Sequence, residues 1–397
     1  MLLTDKNFKN NAIKRVFADE KSLLMVNCKS YNHFNEITQS AANNLGANFL
    51  HMQKTSFYFL ALAMVCAIVS CSKSSSSTSD ESSGNWIKRS EFAGSQRTEA
   101  ASFAVGDSAY VGTGYDGENR LPDFWLYDAT TNSWSQRALF PGVRRNSAVG
   151  FAVGGKGYIA TGFDGTNKLK DCWRFNPATN QWQQMNDFAG NARYDAVAFT
   201  IGDTAYIATG YADNTYGGSS NLKDFWAYDV SGDKWIERQN YGGDKRSQAV
   251  SFVHGNRGYV VTGTNNGTSL TDFWQYDPTS GVWSQLRKIN NATDSSFDDD
   301  YSDIIRTNAA AFVMGDYAYL TTGSNGANTV KTWKYDFASD QWTRKTPFEG
   351  SSRIGANSFV VKGRGFVTMG SSSSGSTTNY DDIWEFNPDQ EQTSADN

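Results

Sequence analysis

Cysteine, histidine and proline are all scarce in this 397-residue chain, at 4, 3 and 6. Four cysteines over such a length exclude a disulfide scaffold, and three histidines leave little for metal chemistry. Charge is also thin: 19% of residues are charged, the net charge is −5, and no basic block occurs anywhere. Phosphate-backbone binding therefore has no electrostatic footprint, which excludes nucleic acid as a partner. The chain is rich in aromatics (12 Trp, 19 Tyr and 25 Phe) and in glycine, with 36 Gly. That balance argues against a disordered chain or a coiled coil. It is the composition of a strand-rich protein, and the tryptophan count directs attention to a repeat.

The longest apolar run, Phe57–Val69, has 13 residues and follows Lys54. It is too short to cross a bilayer comfortably and right for the core of a signal peptide. The run leads into Ile68-Val69-Ser70-Cys71, which resembles a bacterial lipobox. The resemblance implies an acylated N-terminus at Cys71 and a lipid anchor in the bacterial envelope, at the outer membrane (periplasmic or surface-exposed), as the chain's only membrane contact. An ordinary signal peptide with an incidental cysteine is the plainer alternative. Residues 72–85, SKSSSSTSDESSGN in their entirety from Ser72, read as a flexible tether. Residues 1–51 are expected to be a gene-model extension upstream of a start at Met52. Without residues 1–71 the charge is 29 Lys/Arg against 37 Asp/Glu, still unfavourable to nucleic acid.

Residues 86–397 contain six repeats. Trp125, Trp173, Trp226, Trp274, Trp333 and Trp384 recur at intervals of 48 to 59 residues, and a second Trp follows nine residues later in five units (Trp134, Trp182, Trp235, Trp283, Trp342). Upstream in every unit stands an Arg (Arg97, Arg145, Arg193, Arg246, Arg306, Arg353), with a Phe six residues on, an aromatic seven further and a Gly four further. Alternating apolar residues between Gly/Asn/Asp turns make each unit four short antiparallel strands. Such units match propeller blades, whose packed faces require large side chains. The second Trp missing from unit six is found at Trp86, eleven residues before Arg97, the interval that units one to three and five also show. Trp86–Arg89 is therefore expected to be the outer strand of the last blade, leaving no free sheet edge. The expected fold is all-β: a six-bladed propeller closed by an N-terminal outer strand.

The stretches FNPATNQW (175–182) and YDPTSGVW (276–283) resemble the signature of the kelch repeat, and the likeness runs over residues 86–388. One departure is that the kelch Gly-Gly pair is Thr-Gly here, or Met369-Gly370 in the last unit, a change read as mild. The whole resembles the lipoprotein kelch proteins of Bacteroidetes-type bacteria and the central propeller of galactose oxidase.

Connections vary in length only between strands two and three and between blades, so both variable sets share one face. That face is expected to carry function, with 211–221 and 288–305 as its longest loops. Three sets of residues there are candidates. The six arginines could receive a carboxylate bidentately, or each could tie its blade to a neighbour's carbonyls. Tyr115, Phe163 and Tyr211 follow the repeat glycine in blades one to three, where blades four to six carry Thr264, Ser324 and Ser371. Beside Asp116, Asn119, Asp164 and Asn167 they could stack a sugar, or simply pack their own hairpins. The acidic stretch Asp294–Asp303 could hold calcium or be a solvated insertion.

Copper-radical chemistry of the galactose oxidase kind needs histidines, and only His254 remains after residue 71. Cys172 replaces a core Phe and reads as buried. No metal, cofactor or catalytic set is expected. The reading favours a monomeric binding module for a glycan or protein ligand over an enzyme. The alternative is a sugar isomerase similar to the sialic-acid epimerases, with the arginines holding the sugar carboxylate and Asp116, Glu118, Asp164 or Asp213 as candidate bases.

Overall fold

The computed structural model describes residues 83–214, 217–373 and 378–393, and the chain divides into two compact units, Met1–Ser77 and Thr78–Asn397. The first unit lies outside the described residues. So do the expected extension, the signal segment, Cys71 and most of the tether.

The second unit is built from four-stranded antiparallel sheets. In the first repeat Ala101–Val105, Ser108–Gly112, Phe124–Asp128 and Ser133–Gln136 pair in that order, with Phe103 opposite Tyr110 and Tyr127 opposite Trp134. Five more sheets repeat the arrangement, beginning at Val149–Val153, Val197–Ile201, Val250–His254, Ala310–Met314 and Asn357–Val361. Each of these first strands lies against the next round the ring, and the last lies against Ala101–Val105. The second strands are buried on nearly every residue, as strands covered on both faces must be.

Ring closure comes from both ends of the chain. Ser83–Lys88 pairs antiparallel with Ile383–Glu391, placing Trp86 opposite Phe386 and Lys88 opposite Trp384. The strand begins at Ser83, three residues earlier than expected, inside the segment read as tether. Gly84 explains the overlap: its φ is +109°, and a Cβ there would lie 2.5 Å from the Phe386 ring. Arg89 adds an ion pair to Glu385 at 2.6 Å. Burial works to raise the Glu385 carboxyl, but hydrogen bonds from Arg364 and Arg89 hold it below its usual range.

Between blades the two tryptophans meet a third aromatic, five residues before each arginine. Phe92 lies 5.3 Å from Trp125 and 4.9 Å from Trp134, and Phe348 lies 5.0 Å from Trp86 and 5.9 Å from Trp384. Phe140, Phe188 and Tyr241 repeat the contact, and Tyr301 reaches Trp333 in blade five. The third aromatic is buried in every cluster and meets the tryptophans edge-to-face, while seven of the twelve tryptophans stay half-buried.

Candidate ligand site on the axis of the loop face

The six repeated arginines are fully buried. In five blades the guanidinium meets the aspartate two residues before the first Trp, at 2.5–2.7 Å: Arg97–Asp123, Arg145–Asp171, Arg193–Asp224, Arg246–Asp272 and Arg353–Asp382. All six arginines also donate to the carbonyl before the repeat glycine, as Arg97 does to Thr113 at 2.9 Å, and the five paired ones stack over the aromatic five residues upstream at 4.8–5.0 Å. The same aspartates accept the Trp indole N–H, at 2.7 Å for Trp125. Burial pushes Asp123 and Asp382 upward, but the bonded charges of Arg97 and Arg353 hold both below the usual carboxylate range.

The expectation of an anion receptor at Arg97, Arg145, Arg193, Arg246, Arg306 and Arg353 is therefore corrected, because these guanidiniums are enclosed by partners of their own blade. The tie between blades runs through backbone instead. The repeat glycine's amide donates to the next blade's Arg carbonyl, from Gly114 to Arg145 at 2.8 Å round to Gly370 and Arg97 at 2.9 Å. Nor is the Thr-Gly substitution conformationally mild. Thr113, Thr161, Thr209, Thr262, Thr322 and Met369 all sit at φ between 57° and 65°, a left-handed region that β-branched residues rarely enter.

Blade five departs from this pattern. Lys331 replaces the aspartate, Arg306 bonds only carbonyls, and the Trp333 indole N–H is left without a partner among the described residues. The long connection 288–305 supplies the missing acid. Its Asp303 takes Lys331 at 2.5 Å and Arg344 at 2.7 Å, and Tyr301 accepts the Trp342 amide at 2.5 Å. Asp298 accepts from Ala292, and from Thr293 through both amide and hydroxyl. The acidic stretch thus braces the outer edge of blade five, and the loop does not reach toward the axis as a displayed binding loop would.

Two residues beyond each arginine lies a column that the sequence reading passed over: Glu99, Ser147, Asp195, Gln248, Asn308 and Gly355. All six have φ between 51° and 63°. Their amides and carbonyls form a closed ring, Glu99 to Gly355 at 2.8 Å, Ser147 to Glu99 at 2.9 Å, and the other four at 3.1 Å. This backbone ring fixes five side chains at the axis, the sixth position being Gly355. Ser147 donates its hydroxyl to Glu99 Oε2 at 2.6 Å, and the Asn146 amide donates to the same oxygen at 2.6 Å. Asp195 meets the Ser147 hydroxyl and the Gln248 side chain. Burial first, and then the Glu99 charge, raise its carboxyl to about 7. A protonated Asp195 can donate to Ser147 Oγ, whose own proton goes to Glu99. Gly355 makes room for this: a Cβ there would lie 2.9 Å from Glu99 Cγ. The signal was present, because the column is polar or Gly in every unit yet never the same residue twice.

Beside the acids lie the expected aromatics. Tyr115 and Phe163 sandwich the Arg120 guanidinium, each 5.1 Å from its centre. Phe163 continues to Tyr194 at 5.2 Å and Tyr194 to Tyr211 at 5.5 Å, with Lys168 over Tyr211 at 5.5 Å. Burial, followed by Asp195, raises the Tyr194 hydroxyl to about 12. The three aromatics are thus brought together as half-buried members of one strip. Arg120 also donates to Asn146 Oδ1 at 2.7 Å, which links the strip to Glu99.

Three of the four proposed bases are occupied elsewhere, and Glu118 is exposed on its turn. Asp116 and Asp164 cap their own turns, accepting from Asn119 and Asn167, and Asp213 pairs with Lys168 at 2.5 Å. His254 stacks on Phe337 at 4.0 Å beside the turn at Gly255, away from these loops, and Cys172 is buried. Among the described residues no helix is long and apolar enough to cross a membrane.

Antiparallel four-stranded sheets in a closed ring, each preceded by the same Arg and packed by paired tryptophans, define a β-propeller, and two of its repeats carry the kelch motif. Residues 144–189 and 245–289, covering blades two and four, match the Kelch motif model. A solved structure described as "Structure of YjhT" superposes with a TM-score of 0.62, at 16% identity, over 74% of this chain and 95% of that one. That likeness is one of fold. No curated protein matches the chain.

Proposed function

We propose that the propeller is a binding module that takes a glycan at the axial ring of its loop face. One observation carries the reading: the ring acids Glu99 and Asp195, with Ser147 and the adjacent Asn146 amide, adjoin a strip of four aromatics on the same three blades. Carboxylates and amides accept and donate to sugar hydroxyls, and aromatic rings cover the apolar face of a pyranose. The proposed setting is the bacterial envelope, with a monomeric propeller tethered through acylated Cys71. A glycan array probed with the mature chain tests the ligand class. Glu99→Gln is expected to weaken any hit at least tenfold, and an array without hits contradicts the proposal. Persistence of a Cys71→Ser chain in the membrane fraction would contradict the anchor.

The isomerase reading is favoured by a different observation. Asp195, raised to about 7, and Glu99, bonded by Ser147 and Asn146, place two carboxyls in unlike surroundings on one axial ring. Anomer-exchange NMR with free sugars tests it: acceleration that Asp195→Asn removes supports an enzyme.

A further inference from the structure

We infer that Arg120 is an anion anchor beside the axial ring, selecting glycans that bear a carboxylate or sulfate group. The inference rests on the glycan reading above and adds a charge requirement to it.

The buried ring arginines cannot serve, and Lys168 at the same position of blade two is ion-paired with Asp213 at 2.5 Å. Arg120 differs from both. Its Nε donates to Asn146 Oδ1 at 2.7 Å and to the Phe163 carbonyl at 3.1 Å. Among the described residues its two terminal amino groups make no hydrogen bond or ion pair, and the side chain is half-buried. Nη1 lies beside Gly165, where an added Cβ would stand 2.5 Å away, and the Asp164 carboxyl is lowered by the Asn167 amide and in part by the Arg120 charge. The rings of Tyr115 and Phe163 on either side fix the guanidinium plane. A planar fork held at Nε, with Nη protons not committed to a protein acceptor, is the geometry that binds two oxygens of one anion, with little side-chain entropy left to lose. The equivalent residues of blades three to six are Asn221, Ser269, Asn328 and Asn379, so the feature does not belong to the repeat. A repeated brace would recur, whereas an anchor needs one copy. Carboxylate and sulfate esters share the two-oxygen face, and the structure does not prefer one over the other.

The test prints glycans as matched pairs, each sugar carboxylate beside its methyl ester and each sulfate ester beside its free hydroxyl, and probes them with the full mature chain. The acidic member should bind about tenfold to a hundredfold more tightly. Arg120→Gln should collapse that preference to near one while leaving the neutral member's affinity in place, and Arg120→Lys should retain part of it. The pair that shows the preference identifies the anion. Equal binding of both members by the natural chain, or a preference that survives Arg120→Gln, overturns the anchor and leaves the glycan reading standing. If no member of any pair binds, the glycan reading falls and the anchor with it.

Discussion

The two halves of the loop face share a scaffold and differ in almost every side chain displayed on it. Blades one to three present Glu99, Ser147 and Asp195 at the axis, Tyr115, Phe163 and Tyr211 after the repeat glycine, and Arg120 with Lys168 at the rim. Blades four to six present Gln248, Asn308 and Gly355, then Thr264, Ser324 and Ser371, with no cation at the equivalent rim positions. Beneath both halves run the same Arg–carbonyl and backbone-ring bonds. Positions that repeat hold the ring together, and positions that break the repeat distinguish one half of its mouth from the other.

The largest expected effect tests whether the scaffold ignores this division. Arg145→Ala and Arg246→Ala, one in each half, should each cost about 3–5 kcal/mol in urea unfolding, since each leaves a partly buried aspartate unpaired. A small loss in only one of them would mean that the halves differ in their frame as well as in their display. Next, replacing Tyr115 and Phe163 by Ala should lower glycan affinity tenfold or more. Ser324→Ala with Ser371→Ala should change it less than twofold. Equal losses would dissolve the asymmetry.

Acid–base behaviour sharpens the contrast. Asp195 binds its proton more tightly folded than unfolded, since its carboxyl rises from 3.8 to about 7. Its contribution to stability therefore falls as pH climbs through that window and stays low above it. Asp195→Asn should melt above the natural chain at pH 8, with the gain shrinking toward pH 5. A gain independent of pH would mean that Asp195 is not held protonated. Asp123 and Asp382 act oppositely, with stability present above their ordinary carboxylate range and lost as pH drops through their lowered values.

The smallest effect concerns the left-handed threonines. Thr209 and Thr262, again one per half, carry φ of 63° and 65° and buried hydroxyls without partners among the described residues. Thr→Gly at either should stabilise by up to about 1 kcal/mol, as relieved strain exceeds the added chain entropy of glycine. Thr322 hydroxyl accepts the Ala310 amide at 3.2 Å, so its replacement should gain less.

Much of this frame was legible because packing repeats. The interval from Arg to Phe to aromatic to Gly located the strands, and the displaced Trp86 located the closing strand. The Asp column two before each first Trp was equally visible, but its pairing with Arg is a long-range contact that spacing alone does not reveal. The axial column was harder to see. Its residues differ in every unit, and their convergence depends on a left-handed backbone that Glu, Gln or Ser does not announce. Loop 288–305 misled for a related reason. Length implied display, whereas the Lys331 substitution created a charge that only an added acid, Asp303, could neutralise.

Ligand is expected in the half of the loop face where the repeat is broken. Amide and Arg-side-chain NMR shift mapping of the mature chain, titrated with whichever glycan the array returns, tests it most directly. Shifts are predicted to concentrate at Tyr115, Arg120, Ser147, Phe163 and Asp195, with Thr264, Ser324 and Ser371 unmoved. Shifts centred on blades four to six, or on the opposite face around His254, would contradict it.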